Sequence, residues 1–240
     1  MDGSMGLRER KKQRTRETIS EVAIALFLEH GFDQVSVADV AAAAEVSKPT
    51  LFRYFPTKED LVVQRFADHQ DEAAEVVRNR PAGVSPLDAL HRHFVEGLEA
   101  GDPVTGLSDH EAVLAFHRLL HSTPGLVARS AQYLARAEEE LARALAETLG
   151  AESREVTPRL LAGQLVATQR ILAMANWQRI VDGGSARDVR PVALADADHA
   201  FSLLSRGLAT LKAAQETVRQ TEQGTAHAAP AGSADAPPAG

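Results

Sequence analysis

The 240-residue chain contains no cysteine, a single tryptophan and only 5% aromatic residues. Without cysteine there is neither a disulfide framework nor a thiolate metal centre, which fits a reducing interior. No unbroken apolar run approaches the roughly 20 residues of a membrane span, and the N-terminus lacks the apolar core of a secretory signal. A cytoplasmic protein with no membrane partner is therefore expected. No alternating run of β-branched residues is present, so strands are not expected either. Nucleophile elbow, phosphate loop, paired metal motif and Gly-rich cofactor turn are also missing, which argues against an enzyme and against any cofactor.

What remains is rich in helix formers. Hydrophobic residues make up 44% of the chain, with Ala and Leu to carry the core, and the length suffices for two small domains. The net charge of −7, from 26 Lys and Arg against 33 Asp and Glu, argues against a protein that coats nucleic acid without selectivity. The distribution says more than the sum. Arg8, Arg10, Lys11, Lys12, Arg14 and Arg16 cluster near the start, whereas Glu138, Glu139, Glu140, Glu147, Glu152 and Glu155 lie far downstream. A basic end and an acidic body fit a DNA reader that carries a second module.

Ile19, Val22, Ala23, Leu26 and Phe27 recur at helical spacing and His30-Gly31 supplies a stop, predicting a first helix over Thr15–His30. From Ser36 to Phe55 the pattern predicts two short helices joined by a tight turn. Ser36 can cap the first with Asp39, and Ser47 the second ahead of Lys48-Pro49. With Val37, Val40, Ala41, Val46 and Leu51 available as inward residues, Lys48, Thr50, Arg53 and Tyr54 form an outward set suited to phosphates and base edges. That is a helix-turn-helix signature. A long helix is expected from Thr57 to Arg80, linking two modules, and another from Ser85-Pro86. A His-rich helix follows over Ser108–Leu120, then helices from Thr123-Pro124 to Leu149, from Thr157-Pro158 to Asp182, and from about Leu194 to Gln215. The two late helices are apolar over more than one face, which points to a homodimer. Paired recognition helices would then meet successive major grooves about 34–36 Å apart on a near-palindrome.

The segment Leu51-Phe52-Arg53-Tyr54-Phe55-Pro56-Thr57-Lys58-Glu59-Asp60-Leu61, preceded by Ala25-Leu26-Phe27, His30-Gly31-Phe32, Val40-Ala41 and Val46-Ser47, resembles the TetR family of bacterial transcriptional regulators. The resemblance is specific over Thr15–Leu61 and architectural beyond Val62. It implies an all-α homodimer whose N-terminal three-helix domain, with its helix-turn-helix, binds a double-stranded DNA operator. The C-terminal helical bundle would bind a small-molecule effector and dimerise. Most members repress and lose DNA affinity when ligand binds. On this pattern residues 1–14 are a basic N-terminal arm, 15–62 the DNA-binding domain, 63–216 the ligand-binding and dimerisation domain, and 217–240 a disordered tail poor in large apolar residues. One departure stands out: Glu45 occupies the turn position where the family usually has Gly, and a left-handed backbone there costs roughly 1 kcal/mol.

By resemblance and chemistry together, Lys48, Pro49, Thr50, Phe52 and Arg53 are the candidates for the major groove. Arg53 can fork onto guanine, and Thr50 or Phe52 can touch a thymine methyl. Ser36, Ser47, Tyr54 and Lys58 look like phosphate contacts. For Phe52 and Tyr54, packing within the small domain is the competing use. For a ligand pocket the clue is polarity inside apolar helices. Thr168, Gln169, Leu172, Asn176 and Trp177 lie on one helix, with Phe94, Phe116, His117, Leu120 and Tyr133 on others, suggesting a mainly hydrophobic ligand, acyl or aromatic, with a hydrogen-bonding end. His91, His93, His110, His117 and His121 invite a metal reading, but without cysteine or a matching carboxylate pattern no metal site is expected. The alternatives within gene regulation are an activator or a ligand-independent regulator. Outside it, the alternative is a small helical enzyme using carboxylates or histidines.

Overall fold

The computed structural model describes residues 6–149 and 156–227, excepting the side chains of 7–9, 65–68 and 208–227, and every regular element in it is helical. Helix α1 (Leu7–His30) starts eight residues before the expected Thr15. The stretch 7–14, expected as an arm, is thus the first part of α1. Its Arg, Lys, Glu and Gln are good helix formers, and Gln13 donates to Glu17 at 2.9 Å along the same face. Gly31, at φ 88°, ends α1 by donating its N–H to the Phe27 carbonyl.

Helices α2 (Val37–Ala43) and α3 (Lys48–Tyr54) are capped as their sequences require. The Ser36 hydroxyl accepts from the Asp39 N–H while the Asp39 carboxylate takes the Ser36 N–H, a full capping box. Ser47 accepts from the Thr50 N–H at 3.2 Å. Between these helices Glu45 holds φ 54°. The Val46 N–H reaches back to the Ala41 carbonyl (2.9 Å) and the Glu45 N–H to that of Ala42 (3.2 Å), a Schellman termination built without glycine.

The expected long helix Thr57–Arg80 is two helices, α4 (Asp60–His69) and α5 (Glu72–Asn79). Side chains brace the break: Glu72 receives His69 at 2.9 Å and, from the next helix, His93 at 3.0 Å. Helix α6 (Pro86–Ala100) leads to a 3-10 turn over Pro103–Thr105. Then come α7 (Glu111–Ser122), capped by His110, and α8 (Pro124–Leu149). Helix α9 (Val156–Val181) lies near its expected bounds, but α10 (Ala186–His227) begins before Leu194 and runs past Gln215. Ser185 caps it, accepting from the Asp188 N–H at 3.1 Å, and the helix continues through Pro191. Of the expected tail, 217–227 belong to α10, and 228–240 lie outside the described residues.

The described residues up to Ala197 form one packed unit, and α10 continues from Asp198 as a second. Within the first, Ile19, Phe27, Val40, Leu51, Phe55 and Leu61 share a core with Leu120, Leu126 and Tyr133 of α7 and α8. The apolar interior is therefore continuous from the helix-turn-helix into the helices that follow. Helix α8 packs against α4, α5, α7 and α9. The 3-10 turn sits so tightly on α9 that a Cβ on Gly106, at φ 74°, would lie 1.9 Å from the Ala173 carbonyl oxygen.

Candidate functional site

Helix α3 is held from behind and open in front. Leu51 is 0% exposed and Phe55, directly after the helix, is equally buried. Lys48, Pro49, Phe52 and Arg53 are exposed, Phe52 to 48%. Of the two aromatics, Phe52 projects outward, while Tyr54 is half-buried with its ring against the core. The Arg53 guanidinium lies over the Tyr54 ring at 5.5 Å, which orients it without using its hydrogen-bond fork. Thr50 and Ser47 share a hydroxyl hydrogen bond of 2.8 Å, and the Ser36 hydroxyl donates to Asp39 at 2.7 Å. Exposed Arg10, Lys11, Lys12 and Arg14 on α1 extend the basic character beyond α3.

Lys58 departs from its expected phosphate role. Its ammonium donates to the Phe32 carbonyl and stands 4.3 Å from the Phe32 ring and 5.4 Å from Phe27. A cation just ahead of a helix N-terminus opposes the dipole, and here a carbonyl and two aromatic faces hold it within the domain.

Asp60, at the start of α4, is 1% exposed. Arg129 of α8 grips it with two N–H groups, Nε to Oδ1 at 2.7 Å and a terminal nitrogen to Oδ2 at 3.0 Å. Tyr133 donates its hydroxyl to Oδ1 at 3.0 Å, and Thr57 donates both its N–H (3.0 Å) and its hydroxyl (2.9 Å) to Oδ2. Burial pushes the Asp60 carboxyl up, but the hydrogen bonds from Arg129, Thr57 and Tyr133 outweigh it and hold the group below its ordinary value. The turn after α3 is thus tied to α8 through one clothed carboxylate.

Of the expected pocket residues, the structure brings together Phe116, His117 and Trp177, and adds His121. His117 and His121 stack with centroids 6.0 Å apart, and Trp177 of α9 lies 6.1 Å from His117 and 5.3 Å from His121. Phe116 meets His117 edge-on at 6.0 Å. Other members serve the fold instead. Tyr133 belongs to the Asp60 clasp and Leu120 to the shared core. Asn176, 1% exposed, donates to the Thr105 carbonyl at 3.0 Å and fastens α9 to the 3-10 turn. Phe94 and Leu172 are buried, while Thr168 and Gln169 are half-buried. Among the described residues no group of three His, Cys, Asp or Glu could hold a metal ion. His93 is paired with Glu72 and His110 caps α7.

A family model described as bacterial regulatory proteins of the tetR family matches residues 19–64. TcmR, a helix-turn-helix transcriptional regulator of Streptomyces glaucescens, is 33% identical over 174 residues, covering 70% of this chain and 75% of its own. The chain belongs to the TetR family. LfrR, a transcriptional repressor of Mycolicibacterium smegmatis, is 31% identical over 106 residues, 43% of this chain and 54% of its own. The crystal structure of NalD, the secondary repressor of the MexAB-OprM multidrug efflux pump in Pseudomonas aeruginosa, superposes with a TM-score of 0.51 at 20% identity, over 78% of this chain and 97% of that one, which shows the shared fold. As a TetR-family member the chain is a DNA-binding transcriptional regulator. Among its described residues no helix is long and apolar enough to cross a membrane.

Reading the sequence missed the clasp and His121 as a neighbour of Trp177. Thr57 and Asp60 do carry a capping signal at three-residue spacing, but nothing local marks Arg129, 69 residues away, as the partner.

Proposed function

We propose that this TetR-family regulator is a homodimeric, cytoplasmic repressor that leaves a near-palindromic operator when a small, mainly hydrophobic ligand enters its C-terminal helices. The observation that carries the DNA half is α3, a helix anchored by a fully buried Leu51 and presenting Lys48, Pro49, Phe52 and Arg53 to solvent. Arg53 reads guanine, and Phe52 and the Thr50 methyl meet thymine methyls, with Ser36, Ser47 and Tyr54 at flanking phosphates. On this reading residues 15–62 form the reading head and 63–216 the sensing and pairing body, and the chain carries out no chemistry on its ligand.

The pairing half is supported by α9. Its exposed apolar residues Val156, Leu160, Ile171, Met174 and Val181 fall within an arc of roughly 80° at the turn of an α-helix. Leu160 and Ile171 are 57% and 59% exposed, and a single stripe of this kind suits an isologous interface.

Selection from random duplex DNA at stated salt, followed by footprinting, tests the reading. An enriched near-palindrome is expected. Enrichment of nothing, with weak salt-sensitive binding only, removes the operator from the account. Arg53→Ala should lose preference for the selected site while keeping most non-specific binding. Equal losses on operator and random DNA would contradict its role as base reader.

A further inference from the structure

The cluster of His117, His121 and Trp177 says more about the ligand than its apolar setting does. The two imidazoles sit one turn apart on α7, and the indole comes from α9, so three rings from two helices lie within 5.3–6.1 Å of one another. Burial lowers the affinity of both histidines for protons, and for His117 the neighbouring His121 adds to it. Both imidazoles therefore favour the neutral form, and with the indole they offer a set of π faces.

Two polar atoms in this cluster are buried and find no partner within the protein: His117 Nδ1 and Trp177 Nε1. Buried polar atoms are ordinarily paired, and leaving one bare is costly. The indole N–H can only donate. A neutral imidazole nitrogen accepts in one tautomer and donates in the other. A hydroxyl is the smallest single group that offers both a lone pair and a hydrogen, so it serves the indole and either tautomer of His117.

We propose that the effector is an uncharged, planar aromatic compound bearing hydroxyl groups on its ring edge. The ring packs on His117, His121 and Trp177, and its hydroxyl oxygen accepts from Trp177 Nε1–H or its O–H donates to His117 Nδ1. This proposal rests on the ligand-responsive reading above and narrows it, choosing a hydroxylated aromatic over an acyl chain. The carboxylate of an acyl chain accepts from the indole N–H but has no hydrogen to give, so it cannot serve the His117 tautomer that accepts at Nδ1.

Trp177 is the single tryptophan of the chain, so its emission reports on this site alone. Full-length protein, with its selected operator, is titrated with three probes: chrysin, a planar dihydroxyflavone; flavone, the same skeleton without hydroxyls; and decanoate. Chrysin is expected to quench Trp177 and release the operator, with flavone weaker by roughly tenfold because its carbonyl can only accept and offers no hydrogen to His117 Nδ1. His117→Phe keeps an aromatic ring but removes one of the two nitrogens, and should cut the preference for chrysin over flavone several-fold. His117→Gln, a second variant that restores a polar edge, should retain part of it. Equal affinity for chrysin and flavone, or a preference undiminished by His117→Phe, overturns the proposal. Release by decanoate but not by chrysin also overturns it, yet leaves the ligand-responsive reading standing. If no compound of a chemically broad small-molecule library releases the operator, that reading falls and the proposal with it.

Discussion

At the scale of single residues, Glu45 shows a turn closed at a cost. The Schellman hydrogen bonds that end α2 require a left-handed residue, and a side chain in that conformation strains the backbone by about 1 kcal/mol. Glu45→Gly should therefore raise stability by up to about 1 kcal/mol, less whatever the freer unfolded chain takes back. Denaturant unfolding with an unchanged m-value would check it, and a destabilised variant would mean that Glu45 is unstrained. Lys58 teaches the opposite lesson about reading charge. Its ammonium is satisfied by Phe32, 26 residues away, so a basic residue beside a recognition helix need not belong to the DNA face.

At the scale of elements, two polar clusters govern how helices meet. Removing one partner of a buried ion pair leaves a bare charge, so Arg129→Ala should cost about 3 kcal/mol and be felt in both the DNA-binding helices and α8. Thermal unfolding and amide exchange around Asp60 would check it. Equal exchange protection in variant and parent would contradict the clasp. The second cluster, where Glu72 joins His69 and His93, is sensitive to pH. The hydrogen bond from His93 leads in drawing the Glu72 carboxyl down to about 2, against its burial, with His69 assisting. The hydrogen bond to Glu72 leads in raising His93 above its ordinary 6.5, and Glu96 and Asp102 add to it. A raised histidine contributes stability that is fully present below pH 6.5 and is lost as pH climbs through the raised value. The contact between α5 and α6 should therefore loosen from neutral toward mildly alkaline pH, and His93→Gln should flatten that slope. Measuring Tm against pH for both proteins decides it.

These clusters also explain what could be read in advance. Helix starts at Ser36, Ser47 and Ser85 were legible because a cap and its partner lie three residues apart. The break between α4 and α5 was not, since no Gly or Pro lies between His69 and Glu72 and one brace, His93, lies 21 residues further on. The real start of α10 was hidden behind Pro191, a residue that reads as a breaker. In the candidate ligand set, Tyr133 and Asn176 were rightly seen as polar groups among apolar ones, but their partners lie 73 and 71 positions away, and both serve the fold.

For the whole molecule, the exposed stripe on α9 yields a direct expectation. Ile171→Glu, placing a charge where 59% of an isoleucine is now exposed, should leave the fold intact and give a monomer by sedimentation, with operator binding reduced at least tenfold, since about two half-sites must be held at once. A variant that still sediments as a dimer would place the pairing surface elsewhere. The clasp at Asp60 bears on how any ligand signal could travel. Five hydrogen bonds converge on one buried carboxylate. Two of them come from Thr57 beside it, and the three that cross from α8, two from Arg129 and one from Tyr133, form a planar fork and a hydroxyl contact that tolerate little displacement in any direction. A disturbance that starts in α8 therefore meets the turn after α3 at a single oxygen pair, and the charge there makes even a small misfit of Arg129 expensive.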